Sequence, residues 1–214
     1  MIQKSILICF INILCILMFF DYTHINDMIE VTVETITPIE LNIILSKHEE
    51  TKKHNFIINK YQKEFYTKLF EVNKEFIDYV KQQLTIAKLP QEFAYIMVIE
   101  SNLNPKVTYQ DTHGLWQLKK YHYMKPFGLT NKSDLFCPAK STDIAINYFK
   151  YLEEKFNGDH RLMIYAYNAG ETKIKKLYNQ YNGNIPLTAL PLITQSYIPK
   201  LLAIHCVLNE DPTK

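Results

Sequence analysis

The chain has 214 residues, 47% of them hydrophobic and 21% charged, with a formal net charge of +2. That length builds one sizeable core, and two full domains would be crowded. The near-balanced charge lacks the concentrated basic patch of a nucleic-acid binder, and the 4 Cys and 7 His show no zinc-ligand spacing, so neither nucleic acid nor a metal is expected. Aromatic residues make up 13%; flat rings suit sugar faces, but any single one is more simply read as core packing.

Lys4 precedes an apolar run, residues 5–20, broken by Asn12. The run falls short of the roughly 20 residues of a comfortable span. No small-residue cleavage site follows it, because Phe19, Phe20, Asp21 and Tyr22 stand there. Residues 1–20 therefore read as an export signal or membrane anchor, with an uncleaved anchor favoured. Lys4 before the run and Asp21, Asp27 and Glu30 after it leave the remainder outside the cytoplasm. Residues 21–47 read as a linker: Ile29, Val31, Val33 and Thr35 alternate as in a strand, Pro38 interrupts them, and a short strand and a loose tether both stay open.

From residue 48 to residue 214 the chain reads as one mainly α domain. Ile57, Ile58, Tyr61, Phe65 and Leu69, then Val72, Phe76, Tyr79 and Val80, recur at helical spacing and predict two packing helices. Lys60, Lys63, Glu64, Lys68 and Glu71 form their solvated face. Pro90 suits the first position of the next helix, with Gln91 and Glu92 in its first turn. Phe93, Ile96, Met97 and Glu100 then fall at i, i+3, i+4 and i+7, so a carboxylate closes an otherwise apolar stripe. Desolvation there would raise its pKa and let it hold a proton near neutral pH, as a general acid must. A glutamate reaching water from a fraying helix end is the other reading.

Asn104-Pro105 is expected to end that helix, an irregular loop to follow, and residues 115–124 to form another helix with Trp116 and Gln117 in its first turn. Ser141, Thr142 and Asp143 offer N-cap chemistry to a helix carrying Ile144, Tyr148, Leu152 and Phe156, closed by Asn157-Gly158. A short apolar helix over 161–168 has Gly170 as its C-cap. The next carries Ile174, Leu177, Tyr178 and Tyr181 and ends at Asn182-Gly183. Pro186 and Pro191 frame a loop before a final helix over 194–207. No sheet of any size and no internal repeat is expected, and no disulfide between Cys137 and Cys206.

Three short motifs occur in order: Glu100-Ser101, Gly114-Leu115-Trp116-Gln117 and Ala166-Tyr167-Asn168-Ala169-Gly170. Together they resemble the family 1 lytic transglycosylases, whose SLT domain has a goose-lysozyme-like fold. Residues 54–84 and 197–203 resemble the membrane-bound transglycosylase D type in particular. The likeness covers residues 54–206 or so and implies a single lysozyme-like helical domain; the LysM repeats that often follow it in the resembled group are not expected here.

The resemblance also implies an activity: cleavage of the β-1,4 bond between N-acetylmuramic acid and N-acetylglucosamine in peptidoglycan, without water. Glu100 would be the single acid and base, and the muramic 6-hydroxyl would close a 1,6-anhydro ring. Ser101, Trp116, Gln117, Tyr167, Asn168 and Tyr197 match the substrate-binding positions, with Tyr167 bonded near the acid. No cofactor or metal is implied. The implied partner is the glycan strand, and the protein is expected as a monomer on the periplasmic side of the envelope, tethered by residues 5–20. On residue type alone, Ser101 is a helix-end hydrogen bonder, Trp116 and Tyr167 are core aromatics, and Asn168 occupies a helix end. Asp111 and Asp143 are the nearest second carboxylates, more simply read as a turn residue and a cap.

The chain departs from the family at His113, where a small residue is usual, at Cys137, which replaces an Asp, and at Ile193, which replaces a Glu. A goose-lysozyme-like hydrolase of the same bond is the enzymatic rival. The departures also keep open a non-catalytic peptidoglycan-binding envelope protein. If residues 5–20 stay uncleaved, full-length protein should fractionate with membranes, and a chain beginning at Asp27 should be soluble. A mature N-terminus just after Phe20 in exported protein would show a cleaved signal instead.

Overall fold

Between Lys60 and Ile86 the sequence holds neither Gly nor Pro, so nothing interrupts the backbone ladder, and one α-helix of 27 residues results, α1. The structure, a computed structural model, describes residues 28–30, 57–119 and 125–209. The apolar run 5–20, with its reading as signal or anchor, lies outside the described residues, as does most of the 21–47 linker. Within that linker Met28–Glu30 forms strand β1, which pairs antiparallel with β2, Ile57–Asn59. The two helices expected over this region are thus a single helix, and Ile57 and Ile58 precede it in a strand. Burial concentrates in its second half: Ile77, Val80 and Leu84 are buried, whereas Phe65 and Val72 are exposed. α1 ends where Lys88 turns left-handed (φ 61°) and Leu89 N–H donates to Leu84 O.

Gln91–Tyr95 forms a 3₁₀ turn running straight into α2, Ile96–Ser101, with Pro90 at the N-cap and not inside the helix. Phe93, Ile96 and Met97 are fully buried, so the predicted stripe does face the core. α2 stops earlier than Asn104-Pro105 suggested. Asn102 adopts φ 49°, ψ 42°, a left-handed conformation that Asn tolerates better than most residues.

The loop beyond folds into a small antiparallel sheet ordered β3 (Thr108–Tyr109), β4 (Thr112–His113) and β5 (Leu118–Lys119). This replaces the helix expected over 115–124, of which residues 120–124 lie outside the described residues. Gly114 (φ 76°) and Gln117 (φ 46°) are both left-handed, which ends any right-handed helix between them, and Gln117 N–H closes the turn on Gly114 O at 3.2 Å.

A 3₁₀ turn, Lys132–Phe136, with Asn131 and Asp134 in a capping box, leads into α3, Pro138–Lys155. α3 therefore begins ahead of the Ser141-Thr142-Asp143 group expected to cap it, because Pro138 is preorganised for a first helical turn. Ser141 and Thr142 lie inside the helix, fully buried, and donate back to Pro138 O at 3.2 and 2.7 Å. Cys137, just before the helix, is a free, half-buried thiol.

α4, His160–Ala169, is capped by Asp159, whose carboxylate accepts from Leu162 N–H, and it stops at Gly170 as its sequence predicts. α5, Glu171–Gln180, runs to the Asn182-Gly183 turn. The final helix is split: α6, Leu192–Gln195, and α7, Tyr197–Asn209, meet at Ser196. Pro199 falls in the first turn of α7, where no intrahelical N–H is needed. α7 packs on α1, α2 and α4. Phe93 and Trp116, among the largest fully buried side chains, both contact Phe149, at ring distances of 4.9 and 5.8 Å. Among the described residues no helix is long and apolar enough to cross a membrane.

Gly114 is the tightest point of this framework. A Cβ there would lie 1.9 Å from the carbonyl oxygen of Leu135, a backbone atom that cannot swing aside. At Gly158, also left-handed, a Cβ meets nothing within 4 Å. Gly158→Ala should therefore lose only the roughly 1 kcal/mol of a left-handed alanine, and Gly114→Ala about 3 kcal/mol or more. Urea unfolding midpoints measure both, and equal losses would rule out the close approach as the cause.

Candidate active site

Glu100 stands in the last turn of α2, half-buried, just before the left-handed Asn102 turns the chain away. Tyr197 opens α7 and donates its hydroxyl to Glu100 Oε1 at 2.5 Å. Burial pushes the Glu100 carboxyl above its ordinary pKa; the Tyr197 bond and the Lys200 charge pull it down without cancelling that rise. The stripe-closing carboxylate is thus desolvated, and it is not the water-reaching helix end of the alternative reading. The phenols of Tyr197 and Tyr167 are both pushed well above the usual range, by burial first and then by the charge of Glu100. Both remain donors at any ordinary pH.

The remaining motif residues build the walls. Ser101 Oγ lies 3.0 Å from Met97 O and 2.8 Å from Leu115 O, tying α2 to the Gly114 turn. Tyr167, on α4, donates to Trp116 O at 2.6 Å while its ring stacks on Phe149 at 4.9 Å. Trp116 itself has no exposed surface, and its indole N–H donates to Thr142 Oγ1 at 3.1 Å. Gln117 donates from Nε2 to Val107 O and Gly114 O, at 3.1 and 2.8 Å, and its Oε1 is 2.8 Å from Thr112 Oγ1. Asn168, in the last turn of α4, accepts from Thr194 Oγ1 at 2.8 Å.

The structure therefore gathers Glu100, Tyr197, Tyr167 and Asn168 around the point where α2, α4 and α6–α7 meet. It turns the others inward. Trp116, expected at the substrate, offers a ligand no surface, and the polar groups of Ser101 and Gln117 are engaged with the chain. Their positions fit residues that shape the loop carrying the site. Sequence reasoning missed Thr142, which it took for a cap and which holds the Trp116 indole. It also missed Thr194 and Lys200, though Thr194, Tyr197 and Lys200 recur every three residues, the spacing of one helix face.

The departures from the family also find places. His113 is buried beneath the hairpin, with Nδ1 3.1 Å from Thr108 Oγ1 and its ring 5.6 Å from Phe136, so it packs under the loop. Ile193 and its neighbour Leu192 are exposed, at 70% and 81%. Neither Asp111, in the β3–β4 turn, nor Asp143, on the outer face of α3, is among the groups that act on Glu100. Among the described residues no cluster of three or more His, Cys, Asp or Glu is arranged to hold a metal ion.

Residues 79–186 match the transglycosylase SLT domain. The chain belongs to that family. It is similar to membrane-bound lytic murein transglycosylase D of Escherichia coli (strain K12), at 26% identity over 142 residues, 61% of this chain and 31% of that protein. It is also similar to a protein of Alteromonas sp. (strain M-1) named for tributyltin chloride resistance, at 31% identity over 127 residues, 56% of this chain and 58% of that one. The chain thus spans under a third of the length of the transglycosylase D that it matches.

The raised pKa has a consequence for stability. Between the unfolded and folded pKa values the native state binds more protons, so stability falls as pH rises through that window. Glu100→Gln removes the buried charge and keeps an acceptor for Tyr197. Its melting temperature should exceed the parent's at about pH 7.5 and match it at about pH 3, below the ordinary glutamate range. Tyr197→Phe removes an interaction that lowers the pKa, so any activity needing protonated Glu100 should keep its alkaline limb at a higher pH than in the parent.

Proposed function

We propose that the protein is a lytic transglycosylase that cleaves the glycan strands of peptidoglycan at the bond between N-acetylmuramic acid and N-acetylglucosamine. The observation that carries this reading is the state of Glu100: a half-buried carboxyl, held above its ordinary pKa, with one oxygen fixed by Tyr197 and no second carboxylate among the groups acting on it. Family membership and the printed name of the Escherichia coli relative support the same substrate.

With Oε1 engaged by Tyr197, Oε2 is the oxygen left to carry the acidic proton. Glu100 gives that proton to the glycosidic oxygen as the bond to the muramic C1 breaks, releasing the N-acetylglucosamine side as an alcohol. The substrate's own acetamido group shields the cationic carbon. The muramic 6-hydroxyl then bonds to C1 and returns its proton to Glu100, so the enzyme ends as it began and no water is consumed. A two-carboxylate hydrolase would need a base to activate water. Here the tethered 6-hydroxyl has the large effective concentration of an intramolecular nucleophile instead. Tyr167 holds the Trp116 carbonyl and with it the Gly114 turn that walls the site. The same reading places the enzyme as a monomer on the outer side of the inner membrane, tethered through residues 5–20, in keeping with the "membrane-bound" in the relative's name.

Digestion of purified peptidoglycan tests this. The main muropeptides should be lighter by one water than lysozyme products, and digestion in ¹⁸O-water should leave the new muramic termini unlabelled. Glu100→Gln should lower the rate by at least about 10²–10⁴-fold while keeping the fold. Labelled reducing ends would make the protein a hydrolase, with Asp111 the first residue to test as its base. No cleavage by the parent would leave a glycan-binding role.

A further inference from the structure

Thr194 is 1% exposed, yet its hydroxyl reaches no backbone carbonyl; it donates to Oδ1 of Asn168 at 2.8 Å. An asparagine amide carries an acceptor and two donors at nearly equal size, and a half-turn of its last torsion exchanges them. With Oδ1 engaged, Nδ2 is the amide atom left for another partner, and among the described residues no hydrogen bond engages it. Tyr197, three residues further on, holds one oxygen of Glu100 in the same way. One short stretch, α6 and the start of α7, thus fixes the orientation of two polar side chains reaching in from α2 and α4.

The geometry points to Thr194 as a positioning residue that holds the Asn168 amide with its donor toward the cleft, where it binds an acceptor oxygen of the glycan, best the acetamido carbonyl of an N-acetylated sugar. Without the Thr194 hydroxyl the amide is free to turn its oxygen toward that carbonyl, and the two acceptors repel. The inference rests on the glycan-cleaving reading above, and its test separates the two.

The test uses full-length protein carrying Glu100→Gln, which does not consume its ligand, with tetra-N-acetylchitotetraose as the calorimetric probe. Thr194→Val removes the hydroxyl at nearly constant volume and should weaken binding about threefold to tenfold, the worth of one hydrogen bond. Thr194→Ser should bind as the parent does, and Thr194→Val should add nothing in an Asn168→Ala background. In the cleaving protein the same loss should appear in KM, with kcat and the alkaline limb of the pH profile unchanged. The Asn168 side-chain amide signals in NMR of ligand-free protein give a readout without glycan: sharp in the parent, broadened or shifted in Thr194→Val. Thr194→Ala replaces the valine variant should that one unfold. Unchanged amide signals and affinity, or an undiminished loss in the Asn168→Ala background, would overturn the assignment to Thr194. A parent that neither binds nor cleaves would overturn the proposed function, with the NMR signals still deciding Thr194.

Discussion

The hydrogen bond from Tyr197 to Glu100 joins residues 97 apart in sequence and pins the first turn of the last helix to the last turn of a short central one. A half-buried carboxyl is costly to leave alone, because its charged form loses solvation that a single neutral donor replaces only in part. The fold therefore keeps Glu100 in a setting that costs stability and favours its protonated form. That balance constrains α7, which must arrive with a tyrosine at the right depth while Ile198, Leu201 and Leu202 behind it are fully buried in the core.

Around that contact, a second set of bonds determines where the Gly114 turn can lie. Ser101, Tyr167 and Gln117 each reach a main-chain carbonyl, of Leu115, Trp116, and Val107 and Gly114 respectively. Buried carbonyls in an irregular turn need donors that a regular ladder does not supply, so side chains of α2, α4 and the turn itself reach them. Trp116 fills the space beneath, wedged on Phe149 and held by Thr142. The motif residues thus divide into two kinds. Glu100 and Asn168 bond to side chains of the last two helices, whereas Ser101, Trp116 and Gln117 are engaged by the Gly114 turn and α3.

Helices whose ends carry their own stop signals were legible. Gly170 stops α4, and the Asn182-Gly183 turn follows α5, because capping and left-handed turns are local chemistry. Where the signals were ambiguous, tertiary packing prevailed. Ser141 and Thr142 have the chemistry of caps, but Pro138 ahead of them starts the helix and buries them. Leu115 and Trp116 look like a helix start, but the turn packs against Leu135 and continues as a strand. One unbroken helix over Lys60–Ile86 replaced two, since periodicity marks the apolar face and says nothing of where a helix is divided.

The sequence by itself determined where a carboxylate meets the core: the i, i+3, i+4, i+7 stripe that ends in Glu100 puts it at the core's edge, and the three ordered motifs pointed to the family to which the chain belongs. It also determined the mainly helical class, through period and capping. Only the tertiary structure decided which partner each motif residue has within the protein, since a residue's type fixes what it can bond to and not which neighbour arrives. Whether Tyr167 meets the acid or the Trp116 carbonyl, and whether Thr194 is a bystander or the partner of Asn168, depends on helices 51 and 26 residues away along the chain. Those distances are closed by core packing, which no local pattern encodes.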